Sequence, residues 1–141
     1  MISWAMATSV AEQVAVGGIS PFFITRNLAE TIAHYRRLGF ALRFAEPQEV
    51  PFFAIVGRGG AQIFLKELGA EVPPLPNAGR HPWAAWDGFV YVDDPDALAG
   101  EFEADGIAFH VPIRNRDDGL RGFEIKDPDG YILFFGRPDQ G

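Results

Sequence analysis

Phe22-Phe23-Ile24-Thr25-Arg26-Asn27-Leu28 opens a stretch that closes at Leu38-Gly39-Phe40. Phe89-Val90-Tyr91-Val92-Asp93-Asp94-Pro95 opens another that closes at Asp105-Gly106-Ile107. At a constant offset of 67 residues, Asn27 falls on Asp94, Tyr35 on Phe102, Gly39 on Gly106 and Phe40 on Ile107. Gly60-Ala61-Gln62-Ile63-Phe64-Leu65 falls on Gly130-Tyr131-Ile132-Leu133-Phe134-Phe135 at an offset of 70. Each copy reads as a strand, an Asn or Asp turn, a helix, a Gly stop and a new strand. The period is longer than that of a solenoid and occurs only twice. It implies two fused half-domains whose sheets jointly line one cleft.

Working outward from the repeat, residues 18–138 form a single two-module domain behind an N-terminal extension, residues 1–17. The first module spans 18–67, a linker 68–86, and the second module 87–138. In the extension, Ser9-Val10-Ala11-Glu12 has capping-box form, and Gly17-Gly18 would stop a short helix begun there. Ile19 to Thr25 reads as a strand. Asn27 then caps a helix whose apolar face is Leu28, Ile32, Tyr35 and Leu38. Phe40, Leu42 and Phe44 alternate with smaller or polar residues, as in a strand. Two further strands, Pro51–Gly57 and Ala61–Leu65, are joined by Arg58-Gly59-Gly60. The second module repeats this order: a strand over 88–92, a helix capped by Asp94, and strands over 107–111, 120–126 and 131–135. His110 to Gly119 reads as a polar loop. Asp127-Pro128-Asp129-Gly130 is a strong turn signal. The fold class is therefore α+β: paired β-α-β-β-β modules forming a curved mixed sheet around a cleft, with helices on the outer face.

Composition narrows the function. A chain of 141 residues with 48% hydrophobic residues and 13 Phe can bury a real core. It has no cysteine, which excludes a disulfide framework and a thiolate zinc site. The net charge is −7, and the 12 Lys and Arg are scattered. A nucleic-acid partner would need a basic stripe, so none is expected. No apolar run approaches the ~18 residues of a membrane span, and no signal peptide is evident at the N-terminus. The expected location is the cytoplasm.

The duplication, the Tyr35-to-Phe40 helix exit (aromatic-x-x-Leu-Gly-Phe) and the Asp127–Gly130 turn together resemble the vicinal oxygen chelate superfamily. That group includes glyoxalase I, extradiol dioxygenases, fosfomycin-resistance transferases and bleomycin-resistance proteins. The resemblance covers about residues 18–138. It implies four metal-ligand positions, two per module, filled in the metal enzymes by His, Glu or Gln. This chain has Ser20, Phe64, Asp87 and Phe134 there. Phenylalanine cannot ligate a cation, and such sites need about three protein ligands. None of His34, His81 or His110 is placed to rescue the set. No metal and no cofactor are expected. Among the branches, the chain looks most like the metal-free bleomycin-resistance type, which works by sequestration. Pro21 and the Gly119-Leu120-Arg121-Gly122-Phe123 run carry that likeness, although the branch usually has Glu where Gly122 stands here. The resemblance implies a homodimer that buries its ligand in clefts made with both subunits.

The residues of the cleft follow from strand alternation. If Ser20 faces the cleft, Phe22 and Ile24 do too. Asp87, Phe89 and Tyr91 face it from the second module, and Gln62, Phe64, Ile132 and Phe134 from the two terminal strands. Phe23, Val90, Val92, Ile63, Leu65, Leu133 and Phe135 are left to pack under the helices. Phe22, Phe64, Phe89 and Phe134 are then flat apolar walls, Gln62 and Asp87 the polar contacts that orient a ligand, and Tyr91 a further ligand-binding residue. Trp83 and Trp86 stand at the linker's end and would close the rim. Arg114, Arg116 and Arg121 either clamp an anionic group or pair with nearby Asp117, Asp118 and Glu124. The expected ligand is small, and aromatic or cationic. The rival activity is a metal-free lyase or isomerase with Asp87 as general base.

Overall fold

A computed structural model describes residues 13–140. The capping box at Ser9–Glu12 lies outside these residues. The first module runs β1 (Phe22–Ile24), α1 (Leu28–Arg37), β2 (Ala41–Glu46), β3 (Phe53–Arg58) and β4 (Ala61–Lys66). The linker carries one helical turn, α2 (Asn77–Arg80). The second module runs β5 (Gly88–Tyr91), α3 (Pro95–Ala104), β6 (Val111–Asn115), β7 (Leu120–Lys126) and β8 (Ile132–Pro138).

Both long helices start as the sequence predicts. The Asn27 Oδ1 accepts from the Glu30 N–H at 3.1 Å, and the Asp94 Oδ1 accepts from the Ala97 N–H at 3.0 Å. These side chains satisfy donors that the first helical turn leaves unpaired. Gly39 and Gly106 follow the helices with φ of 84° and 73°, a left-handed conformation that a side chain would strain.

The strands form two four-stranded mixed sheets of identical order, β1-β4-β3-β2 and β5-β8-β7-β6. In each, the first strand lies parallel to the last, and the other pairs are antiparallel. Phe22 pairs with Phe64 in one sheet and Phe89 with Phe134 in the other. The duplication thus extends to strand register. The mixed sheet is divided into two, and β1 and β5 are edge strands.

Helix α1 packs on β2 and β3, and α3 on β6, β7 and β8. The two helix-covered faces merge into one core that includes Phe23, Tyr35, Leu65, Phe102, Phe123 and Phe135. Phe23 of β1 stacks on Tyr131 across the module boundary, with centroids 4.2 Å apart and planes within 3°. Polar groups close the same boundary. The Tyr35 hydroxyl donates to Asp127 at 2.9 Å, and Thr25 and Thr31 donate to Asp129 at 2.5 and 3.1 Å. Arg58 donates to the Leu38 carbonyl at 2.8 Å and pairs with Glu101 at 2.7 Å.

Two strands depart from the sequence reading. Phe40, Leu42 and Phe44 were expected on one face, but a β-bulge lies between Leu42 and Phe44. Leu42 pairs with buried Val56, and Phe44 pairs with Ile55 on the other face. The extra residue, Arg43, shifts the alternation, so Phe44 turns to the open face. The second strand of the second module was expected over 107–111, with a loop from His110 to Gly119. Ile107 is buried in the core, yet β6 begins only at Val111 and runs to Asn115. Pro112 obscured it, because proline lacks the ladder donor and argues against an interior strand. As the outermost strand, with a register shift between Val111 and Arg114, β6 tolerates Pro112.

Candidate functional site

Each sheet has one face turned away from its helix, and that face carries aromatic rings. On the first sheet, Phe23, Ala54, Val56, Ile63 and Leu65 point into the core. Alternation sends Phe22, Phe53, Ile55 and Phe64 to the other side. Their rings touch: Phe22 to Phe64 at 6.2 Å, Phe53 to Phe64 at 5.6 Å, and Phe44 to Phe53 at 6.0 Å. Among the described residues no element caps this cluster fully, and Phe22 and Phe44 remain 53% and 45% exposed.

The second sheet is built around Phe134. Its ring lies across the backbone of its strand neighbours Gly122 and Gly136. A Cβ at either glycine would come within 2.5 Å of the ring. Gly122 is thus required by the ring that crosses it, which accounts for a glycine where the bleomycin-resistance branch usually has Glu. Trp86 stacks on Phe134 at 4.4 Å and 26°, Phe89 packs against Phe134 at 5.0 Å, and Tyr91 against Phe89 at 4.5 Å. The Arg116 guanidinium lies over this shelf, its carbon 4.9 Å from the Trp86 centroid and 5.8 Å from that of Phe134. Arg116 pairs with Asp118 at 3.0 Å and approaches buried Glu124 at 3.7 Å. His110 lies 4.0 Å from the other Glu124 oxygen.

Of the residues expected to bind a ligand, Phe22 and Phe64 meet on the first sheet, and Trp86, Phe89, Tyr91 and Phe134 on the second. Among the described residues, no ring of one cluster packs on a ring of the other. Trp83 stands in solvent at 87% exposure, with His81 beside it. Gln62 accepts from Arg43 at 3.2 Å and donates to Ser20 at 3.4 Å. Asp87 has no free carboxylate edge. One oxygen accepts from the Asn77 N–H at 2.7 Å and the other from the Ile132 N–H at 2.8 Å, so it fastens the linker to the start of β8. Arg121 pairs with Asp96 at 2.6 Å, away from the shelf.

A groove of about 780 Å³ also runs between the modules along β5. Gln62, Asp87, Phe89 and Tyr91 reach it, whereas Phe64, Trp86 and Phe134 do not line it. Much of its wall is core side chain seen at the module seam, including Val90, Leu133 and Phe135. The two ring faces, the first open and the second covering buried Phe134 with Trp86 and Arg116, combine flat apolar surface with placed charge, and they form the better candidate site.

Sequence reasoning offered Asp118 and Glu124 as partners of Arg116, as the structure has them, but did not place Glu124 or Arg116 at the ring cluster. Glu124 was within reach: it lies between the core residues Phe123 and Ile125, so alternation puts it on the open face, where it pairs with Phe134. Arg116 follows the end of β6, and only the turn's path brings it back over Trp86.

The residues do not fit a catalytic divalent metal. Phe64 and Phe134 offer no donor atom, and Asp87 is committed to two main-chain donors. Among the described residues, no three His, Cys, Asp or Glu side chains are grouped to hold an ion. No helix among them is long and apolar enough to cross a membrane.

The chain belongs to the glyoxalase/bleomycin resistance protein/dioxygenase superfamily, whose family model matches residues 16–135. No curated protein matches the sequence significantly. Among solved structures, it is similar to a bleomycin-binding protein crystallised with bleomycin, at 20% identity and a TM-score of 0.65 over 88% of this chain and 100% of that one. It is likewise similar to a bleomycin resistance determinant encoded on the transposon Tn5, at 21% identity and a TM-score of 0.66 over 89% and 100% of the chains. A glyoxalase/bleomycin resistance protein/dioxygenase from Nocardioides is 20% identical, with a TM-score of 0.63 over 97% and 93%. At these identities the likeness establishes the fold.

Proposed function

We propose that the protein is a metal-free binder of a small aromatic or cationic molecule and acts as a homodimer in the cytoplasm. The observation that carries this reading is the pair of ring clusters on the sheet faces turned away from the helices, the first open at Phe22 and Phe44, the second with Phe134 buried beneath Trp86 and Tyr91 exposed at its margin. Apolar rings on a sheet face that no helix covers are surplus to the core, and such surfaces serve ligands or partners. The ligand contacts are Phe22, Phe64, Phe89, Tyr91, Trp86 and Phe134, with Gln62 and Asp87 at their margins and Trp83 at the rim. A glycopeptide antibiotic such as bleomycin, held by sequestration, is the first candidate, because it is the ligand named for the similar bleomycin-binding protein. Asp87 as a general base is the weaker reading, since its carboxylate would first have to release two main-chain donors.

A thermal-shift screen of bleomycin-type drugs and aromatic metabolites tests the proposal. A ligand at about 100 times its dissociation constant stabilises the fold by about 2.7 kcal/mol. Phe64→Ala and Phe134→Ala should each weaken that ligand, and no product should form from it. A panel that shifts nothing, or a hit that is consumed, removes the sequestration reading.

A further inference from the structure

The shelf on the second sheet is already occupied by a cation from the chain itself. Arg116 lies on the rings with its side chain 22% exposed, and its closest ion-pair partner is Asp118, two residues away on the same turn and 47% exposed. Because both partners of that pair belong to the turn, moving the Arg116 side chain off the rings need not break it. Beneath it, Glu124 is held more deeply, its side chain only 9% exposed. Its nearest cations, Arg116 and His110, stand at 3.7 and 4.0 Å, and no hydrogen bond reaches its carboxylate among the described residues. A nearly buried carboxylate with cations close by and no hydrogen-bond donor from the protein can take one from a ligand. Trp86 also lacks a partner, since its Nε1 is buried without an acceptor.

We infer that the Trp86–Phe134 shelf is a subsite for a planar cationic group of the ligand, an amidinium, guanidinium or protonated aromatic amine, which displaces Arg116 and takes Glu124 as its counter-charge. This rests on the reading of the ring faces as a ligand site. Planar cations suit it for the reason Arg116 does: delocalised charge is weakly hydrated and stacks well on aromatic faces. The incoming group exchanges one such contact for another and adds what Arg116 lacks, a direct hydrogen bond to Glu124. An acceptor at the shelf edge would also satisfy the Trp86 N–H. The opposite assignment, Arg116 as a clamp for an anion, leaves Glu124 still without a donor and sets it against the anion's charge.

Benzamidine, benzamide and benzoate test the assignment, because they share size and flatness and differ in charge. The readout is the indole N–H resonance that vanishes in Trp86→Phe, titrated with each probe in the intact protein. Benzamidine should bind about tenfold more tightly than benzamide, and benzoate more weakly than either. Arg116→Ala, on an exposed turn, should tighten benzamidine about fivefold by clearing the shelf. Glu124→Gln should abolish the preference for the cation, with folding checked by its melting transition. Should that variant fail to fold, Arg116→Ala decides alone. Equal binding of benzamide and benzamidine, weaker benzamidine binding in Arg116→Ala, or benzoate binding that Arg116→Ala destroys would each overturn the inference. A neutral flat ligand found in the thermal screen, with benzamidine silent, sinks this subsite and leaves the binding reading standing. Silence from all three probes and from the screen removes both.

Discussion

Asp127 joins the modules through one buried carboxyl group. One oxygen accepts from the Asp129 and Tyr131 N–H groups at 2.9 and 3.0 Å, the other from the Tyr35 hydroxyl at 2.9 Å. Burial nevertheless pushes its pKa up to about 6, from an ordinary carboxyl value of 3.8. Burial works the other way on His34, whose pKa falls to about 4, with Arg37 adding to the shift. The signs follow from linkage. A raised carboxyl pKa gives stability that is full below about pH 4 and lost as pH rises through 6. A lowered imidazole pKa gives stability that is full above about pH 6.5 and lost as pH falls toward 4. The two dependences oppose each other across one window, so in the wild type they largely offset. Asp127→Asn separates them. Its amide keeps the acceptor for both N–H groups and meets the Tyr35 hydroxyl as a donor, but it does not titrate. Relative to wild type, Asp127→Asn should gain on the order of 2–3 kcal/mol between pH 4 and pH 7. Urea unfolding of both proteins at the two pH values measures this. A difference that stays constant with pH would show that the native carboxyl is not perturbed.

Among the elements, the strands of the second sheet depend on what two glycines leave out. Phe134 can lie across β7 and β8 only because Gly122 and Gly136 have no side chains. A Cβ on Gly122 would meet the Phe135 carbonyl oxygen at 2.3 Å and the Phe134 ring at 2.5 Å. Gly122→Ala should therefore cost about 1–3 kcal/mol in chemical unfolding and shift the near-ultraviolet circular dichroism of Trp86, as the ring below it moves. Unchanged stability and spectrum would place the ring elsewhere. The same elements show why some strands were legible in the sequence and others were not. Both helices, their caps and the corresponding strands β4 and β8 of the two modules carry local signals: an Asn or Asp cap, a 3.6-residue apolar period, a turn before an apolar run. The bulge that turns Phe44 to the open face has no local signal, because it adds a residue without changing composition. The β6 strand was hidden by Pro112 and by polar residues that suit an outer strand as well as a loop. The two motifs that marked the family also gain a physical meaning. Tyr35 of the helix exit donates to Asp127 of the Asp-Pro-Asp-Gly turn, so two signatures 92 residues apart in sequence are the two sides of one contact.

For the whole molecule, alternation was enough to place Phe22, Phe64, Phe89 and Phe134 on the faces turned away from the helices, although Phe134 is buried there beneath Trp86 and Arg116. It could not show that the faces belong to two sheets whose ring clusters do not meet, nor that a linker residue, Asn77, engages Asp87. Those facts depend on how the modules pack, which no local pattern records. The separation of the clusters bears directly on assembly. A ligand enclosed on one side by Phe22, Phe44, Phe53 and Phe64 needs a second wall, and the described residues supply none opposite them. The edge strands β1 and β5 are unpaired with each other, and Val14, Val16 and Ile19 are each more than 90% exposed. A second copy would cover such surfaces and close the cleft by symmetry. The protein should therefore sediment as a dimer at tens of micromolar, and its melting temperature should rise with protein concentration, because association stabilises only the folded chain. Phe44→Glu probes the interface without disturbing the core, since Phe44 is half exposed on β2, the outer strand of its sheet. It should shift the protein to monomer and weaken any ligand that needs both walls. Binding confined to the Trp86–Phe134 shelf, which one chain builds alone, should survive. A wild-type monomer at these concentrations, or a Phe44→Glu variant that remains dimeric, would show that the first sheet's rings do not face a partner.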